Sequence, residues 1–185
     1  MSEGIWYYVM SIADYLEWYI LYIPKAIYGW GLAVFLVILV TSMLWKGINT
    51  GVRYGAAFLL IEYVALLLYF TVIIWRNNGV HGYKLVPFWS YWAMFQGTKV
   101  LAHEIIMNIA VFIPIGFLAG IAMKSYTWQK VAFVGFAISL TIEMLQLVLK
   151  RGCCETDDII NNTLGCMVGY GTFLFFKRMK RSFEF

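Results

Sequence analysis

The sequence predicts an all-α fold, a polytopic integral membrane bundle of about five transmembrane helices with an N-terminal amphipathic helix. The first indication is composition, because 62% of the 185 residues are hydrophobic and 13% are charged, whereas soluble domains are nearer half apolar and a quarter charged. The second is the mean hydropathy of +0.75. The third is an aromatic content of 19%, which suits a bundle with rings at both membrane interfaces.

The first apolar segment, residues 4–23, carries acidic residues at Asp14 and Glu17. At 100° per residue these two lie on one narrow stripe with Glu3. Such a helix either lies in the interface or spans the membrane with its acids turned to the bundle. We therefore assign residues 1–25 to an amphipathic helix, interfacial or spanning, and residues 26–185 to the membrane bundle. No basic region precedes this segment, so no cleaved signal peptide is expected.

Five later segments are long and apolar enough to cross a bilayer. The second of them carries Glu62, which is expected to face a neighbouring helix, and the third carries Pro114 near its middle. Polar turns are predicted at residues 46–53 and 124–130, and a basic tail follows the last span. The predicted spans cover residues 26–45, 54–75, 101–123, 131–149 and 159–176.

The longest break between spans, residues 76–100, is rich in turn residues and has an apolar, aromatic middle. Asn77, Asn78 and Gly79 mark a turn, and Pro87 blocks a regular helix. Irregular backbone is tolerated at membrane depth only where protein or water covers it. The segment is therefore expected either on the membrane surface or folded back into the bundle.

Basic residues predict the orientation of the bundle. Eight lie near the side that carries the C-terminus and six near the other side. Since cytoplasmic loops carry the excess of Lys and Arg, the C-terminus is expected in the cytoplasm. The turn at residues 150–158 and the long break would then face outward.

Polar side chains in three spans fall at one depth. Glu143 lies two turns before Lys150, and Asn162 lies one turn after Asp158, which places them about 6–10 Å below the surface at 1.5 Å per residue. Asn108 should reach a similar depth in the third span. Polar groups at one depth in a low-dielectric bundle are expected to find each other.

The spacing within each span supports this arrangement. Gly135, Ser139, Glu143, Gln146 and Lys150 share one stripe of the fourth span. Asp158, Asn162, Gly165 and Gly169 do the same in the fifth.

These residues have both structural and functional interpretations. Taken singly, Asn108, Gln146 and Asn162 are compatible with helix packing, and Gly165 with Gly169 allows a neighbouring helix to approach closely. Glu143 favours function, since an acid inside the membrane marks a functional site by default. No spacing selects a metal, and the sequence predicts neither a metal nor another cofactor.

Four blocks in order resemble the VanZ-like family, bacterial membrane proteins named for a teicoplanin (glycopeptide) resistance protein. They are L-V-P-F at 85–88, N-I-A-V-F-I-P-I-G-F-L at 108–118, I-E-M-L-Q at 142–146 and D-D-I-I-N-N-T-L-G-C-M-V-G-Y at 157–170. The resemblance covers about residues 85–170. It departs from the family pattern at Lys84, where Asn is usual, and at Arg151-Gly152 with Glu155, where the family has Gly-Arg and an Asp.

The resemblance implies a multi-pass protein of the bacterial cytoplasmic membrane that acts at the cell envelope. It also implies reduced susceptibility to teicoplanin or lipoglycopeptide antibiotics. Within the blocks, Pro114, Gly116, Gly165 and Gly169 are expected to be structural.

We expect an outward-facing polar cleft that binds a lipid-linked cell-wall precursor or a lipoglycopeptide, with membrane lipid as a further partner and no nucleic acid. The expected lining residues are Asn108, Glu143, Gln146, Arg151, Asp157, Asp158 and Asn162.

Two other functions stay open from the sequence. One is an enzyme that modifies a lipid-linked envelope precursor, with Glu143 or Asp158 as the catalytic acid or base. The other is a small transporter, although no continuous polar path to the opposite face is visible. The ligand, any reaction and the oligomeric state are left open.

Overall fold

The structure, a computed structural model, describes residues 31, 34–40, 43–44, 47–74, 82–123 and 127–183. The predicted amphipathic helix at residues 1–25 lies outside the described residues. The predicted span at residues 26–45 is described only in part, and the described residues 34–40 are helical.

Four long helices dominate the described part of the chain. Helix α1 (Ile48–Leu68) runs directly into a π-helical segment (Tyr69–Ile74), and a short helix, α2 (Trp89–Phe95), comes later in the chain. The other three long helices are α3 (Lys99–Ala122), α4 (Trp128–Val148) and α5 (Thr156–Phe183). Each contains a stretch long and apolar enough to cross a membrane. The chain is therefore a helical membrane bundle, as its composition predicts.

The start of α1 corrects the predicted polar turn at residues 46–53. The helix already begins at Ile48, because Gly47 with φ 83° makes the turn and its carbonyl accepts from the N–H groups of Thr50 and Gly51. Arg53, whose charge favoured a turn, instead donates through Nη2 to the Ala122 carbonyl at 3.1 Å. A charge that meets the last carbonyls of a neighbouring helix can remain inside a helix.

The break between the second and third predicted spans contains regular structure. Strand β1 (Gly82–Lys84) pairs in parallel with strand β2 (Cys153–Glu155), and the short helix α2 (Trp89–Phe95) follows β1. Phe88, with φ 64°, makes the left-handed turn into α2. The segment thus folds back onto the connection between α4 and α5. The prediction of irregular backbone is wrong at β1 and α2, which are regular.

Helix α5 extends beyond its predicted bounds at both ends. It begins at Thr156, with Asp157 and Asp158 in its first turn, and it continues through the basic residues Lys180 and Arg181 in its last turn. Acids near a helix N-terminus and cations near its C-terminus stabilise the helix through its dipole. The basic tail predicted from the sequence is therefore the end of this helix.

The tightest packing joins α3 to α5. A Cβ atom on Gly165 would lie 2.1 Å from the Ile109 carbonyl oxygen, and one on Gly169 would lie 1.9 Å from that of Ile113. On α3, a Cβ on Gly116 would lie 1.7 Å from the Cys166 carbonyl oxygen. The two helices touch backbone to backbone, as small residues allow in membrane bundles.

Pro114 lies inside α3, between these contacts. A proline removes one helical hydrogen bond and disturbs the preceding turn. One turn away, Tyr63 of α1 donates its hydroxyl to the Val111 carbonyl at 2.9 Å. This contact, one turn before Pro114, ties α1 to α3.

Candidate functional site

Polar groups converge where α3 and α5 begin and α4 ends, beneath strand β2. Asn108 of α3 donates through Nδ2 to Oδ1 of Asp158 at 2.6 Å. Both residues are half-buried. This contact joins α3 to α5.

Glu143 of α4 is the most deeply placed carboxylate of this group. It is 2% exposed, and its Oε2 accepts a hydrogen bond from the Glu155 backbone N–H at 2.9 Å. It also interacts electrostatically with Asp158. The structure therefore brings together Glu143, Asp158 and Asn108, which come from three different helices.

The charge around this group is mainly negative. Asp158 interacts with the carboxylates of Glu155 and Glu104, and Lys84 supplies the opposing charge. Lys84 itself is ion-paired to Glu155 at 3.0 Å. Within the described part of the chain, neither Glu143 nor Asp158 forms a salt bridge with lysine or arginine. The group is thus rich in hydrogen-bond acceptors.

Asp157 has a different environment from its neighbour. It is 1% exposed and accepts hydrogen bonds from the backbone N–H groups of Phe88, at 2.5 Å, and Ser90, at 2.8 Å. The Ser90 hydroxyl donates to the same carboxylate at 2.5 Å. Since these three donors occupy most of the lone pairs of a carboxylate, Asp157 fixes α2 against α5.

The other predicted lining residues form contacts between elements. Asn162 donates through Nδ2 to the Ser139 hydroxyl at 2.8 Å, where both side chains are buried, and so links α5 to α4. Gln146 donates to the Thr71 carbonyl at 3.2 Å, and Arg151 donates to the Ile73 carbonyl. Gln146 and Arg151 thus contact the π-helical segment.

Asn161 belongs to this region although sequence reasoning did not select it. It is 1% exposed, and its Oδ1 accepts a hydrogen bond from the Tyr91 hydroxyl. Its Nδ2 is buried and has no partner among the described residues, and the same is true of Trp89 Nε1. The signal was available, because Asn161 lies one helical turn after Asp157 and so shares its face.

Three titratable side chains of α2 and β2, outside the spans, have pKa values above their ordinary values. Burial, and then the nearby Asp157 carboxylate, raises the pKa of Tyr91. Burial, and then the Glu155 carboxylate, raises the pKa of the Cys153 thiol, and burial with Glu143 raises that of Cys154. Because the thiolate is the nucleophile, these two cysteines are poorly suited to nucleophilic chemistry.

Comparison with known proteins shows the family of the chain. The family model described as VanZ/LLP1 matches residues 57–177. Protein VanZ of Enterococcus faecium is 31% identical over 111 residues, which cover 56% of this chain and 68% of that protein. No solved structure matches the chain. Since the matched region holds Asn108, Glu143 and Asp158 and more than half of the chain, this protein belongs to the VanZ/LLP1 family.

Proposed function

We propose that this protein lowers the susceptibility of a bacterium to teicoplanin and related lipoglycopeptide antibiotics from the cytoplasmic membrane. It would do so by binding a lipid-linked cell-wall precursor or the lipopeptide itself at the outward-facing end of the bundle. The resemblance to the VanZ-like family supports the proposed phenotype, and the geometry around Asp158 supports the proposed site.

The observation that carries the proposal is the convergence of Glu143, Asp158 and Asn108, which lie in three helices long and apolar enough to cross a membrane. Acids inside the membrane are costly and mark functional sites by default. Here the carboxylates meet an amide and a backbone N–H rather than a lysine or arginine among the described residues. Asp157 accepts three hydrogen bonds, whereas Glu143 and Asp158 each accept one from the described residues, which leaves acceptor capacity for a ligand.

The chemistry of the group indicates the kind of ligand. Carboxylates accept hydrogen bonds and attract cations. Peptide N–H groups, sugar hydroxyls and ammonium groups, which lipopeptides and lipid-linked precursors carry, fit such acceptors. An acyl chain of the ligand would lie along the apolar helices while its polar part meets Glu143 and Asp158.

Within this proposal, Asn162, Gln146 and Arg151 shape the site through Ser139 and the π-helical segment. Arg151 is half-buried and engages one guanidinium nitrogen. Its other donors could reach a phosphate or carboxylate at the mouth of the site.

The test is teicoplanin susceptibility of a sensitive host that expresses the chain or its variants. Glu143→Gln and Asp158→Asn keep size and remove charge, so they should abolish protection. Loss of one charged hydrogen bond is worth about 1.5–3 kcal/mol, or roughly tenfold or more in binding. Membrane abundance of each variant is measured by immunoblot.

The matched control is Glu62→Gln, which removes the half-buried acid of α1, outside the group around Asp158. This variant should keep full protection. Retained protection in Glu143→Gln and Asp158→Asn at unchanged abundance would contradict the proposed site. A wild-type chain that gives no protection would contradict the proposed phenotype.

A second candidate function is supported by two carboxylates at the same end of the bundle, the buried Glu143 and the half-buried Asp158. Glu143 and Asp158 interact electrostatically, and such pairs serve as acid and base in enzymes. The chain would then modify a lipid-linked envelope precursor. Mass spectrometry of the precursor pool distinguishes the two, because only an enzyme changes the mass of a precursor, and Glu143→Gln would abolish that change.

A further inference from the structure

The short helix α2 has its apolar side turned outward. Phe88, Trp92 and Phe95 are 58%, 68% and 81% exposed. Trp92 and Phe95 are three residues apart in the helix and so lie on one face, and Phe88 is the residue that precedes the helix. A helix on the surface of a soluble protein shows the opposite arrangement, with its apolar stripe toward the core.

The polar side of α2 is the buried side. Ser90 is 5% exposed and donates through both its N–H and its hydroxyl to Asp157. The Tyr91 hydroxyl donates to Asn161. These hydrogen bonds to α5 fix the rotation of α2, so its aromatic side faces outward because of specific buried contacts.

The exposed apolar surface continues on both sides of α2. Tyr83, Leu85 and Val86 precede the helix and are 69%, 60% and 69% exposed. Val100, in the first turn of α3, is 68% exposed and is the first residue of a membrane-spanning stretch. Exposed apolar side chains therefore occur on α2 and on both of its flanks, up to the first turn of α3. We name the surface formed by Tyr83, Leu85, Val86, Phe88, Trp92 and Phe95 the aromatic platform.

The position of the platform identifies its partner. Only a few residues separate Phe95 from the start of the span at Val100, so the platform lies at the level where α3 enters the membrane. Aromatic side chains are enriched at that level because their rings prefer the boundary between headgroups and acyl chains. Helices that expose an apolar face there bury it about 5–10 Å into that boundary.

We propose that the aromatic platform inserts into the lipid leaflet at the end of the bundle that carries Glu143 and Asp158. Its partner is the lipid surface itself. Asp157 and the pairing of β1 with β2 tie this inserted segment to the polar group. Lipid would therefore lie next to the group around Asp158. The contact between the platform and lipid does not depend on which ligand that group binds.

The experiment uses the full chain in vesicles of phosphatidylcholine and phosphatidylglycerol. The photo-crosslinking amino acid p-benzoylphenylalanine replaces Phe95, Trp92 or, as a lipid-facing benchmark within α4, Phe133, which is 68% exposed. After illumination, mass spectrometry detects phospholipid adducts. Adducts at positions 92 and 95 comparable to those at 133 are expected, and their absence at 92 and 95 beside clear adducts at 133 would overturn the proposal.

A second measurement needs no foreign residue. The contribution of Trp92 to fluorescence is the difference between the unmodified chain and Trp92→Phe. In vesicles of phosphatidylcholine brominated near the top of its acyl chains, this contribution should lose most of its intensity. If brominated lipid leaves it unchanged while aqueous acrylamide quenches it, the platform faces water and the proposal fails.

Discussion

Two adjacent carboxylates at the start of α5 have different roles. Asp157 accepts three hydrogen bonds from Phe88 and Ser90, whereas Asp158 meets Asn108 of α3. Consecutive helical residues point in directions about 100° apart. One carboxylate therefore holds α2, and its neighbour belongs to the proposed binding group.

The role of Asp157 is tested by Asp157→Ala. Hydrogen bonds to a charged group are worth about 1.5–3 kcal/mol each, so removal of their common acceptor should destabilise the segment by about 3 kcal/mol or more. Trypsin cleavage after Lys84 should become faster in detergent micelles. Ser90→Ala, which loses the hydroxyl bond alone, should give a smaller effect, and cleavage of Asp157→Ala at the wild-type rate would contradict this role.

The cysteines of β2 give a prediction about pH. Burial and the Glu155 carboxylate raise the pKa of Cys153 above its ordinary value of 9.0. A raised pKa means less thiolate at a given pH, so alkylation by iodoacetamide should still accelerate as the pH rises past about 9. The same chain unfolded in detergent is the control. A rate that levels off at or below pH 9 would contradict the raised pKa.

At the scale of elements, the close contact between α3 and α5 determines which side chains meet in the site. Gly165 touches the Ile109 carbonyl, one residue after Asn108, and lies two turns after Asp158. The same contact that brings the backbones together therefore brings Asn108 to Asp158. A wider spacing of the two helices would separate this pair.

Gly165→Ala should consequently weaken both the fold and the site. A Cβ there would lie 2.1 Å from a backbone oxygen, which cannot move without its helix. Overpacking of this kind costs about 1–3 kcal/mol or more, so the thermal unfolding midpoint in micelles should fall. The control is Gly171→Ala on the same helix, where a Cβ would meet only the edge of the Trp128 ring at 3.3 Å. Equal midpoints for the two variants would contradict the role of the contact.

At the scale of the molecule, the bundle has a polar end and an end marked by basic residues. The group around Asp158 and strands β1 and β2 lie at one end, and the last turn of α5 carries Lys180 and Arg181 at the other. The distribution of basic residues predicts that the second end faces the cytoplasm. The proposed site would then face outward, where cell-wall precursors and antibiotics are found.

This orientation is tested by fusing reporters to the C-terminus. Green fluorescent protein, which folds in the cytoplasm, should fluoresce when fused after Phe185, and alkaline phosphatase in the same place should be inactive. The opposite pair of results would place the site in the cytoplasm. Such a result would leave the contacts around Asp158 unchanged but would contradict the proposed encounter with an external ligand.

The sequence by itself determined the class of the molecule. Spans follow from the length of apolar segments, which is a local property. The depth that the sequence predicts for Asn108, Glu143 and Asn162 follows from the constant rise of a helix. The four blocks that resemble the VanZ-like family also lie in the sequence, and the family match confirms them.

Only the tertiary structure decided which polar groups are partners. Asp157 with α2, Asn161 with Tyr91, and Gln146 with the π-helical segment depend on how each helix is rotated and how closely its neighbours approach. Strands β1 and β2, three residues each, are too short to show a periodic pattern. They form because α4 and α5 bring Cys153–Glu155 next to Gly82–Lys84, and a pairing between segments so distant in sequence depends on the packing of the whole bundle.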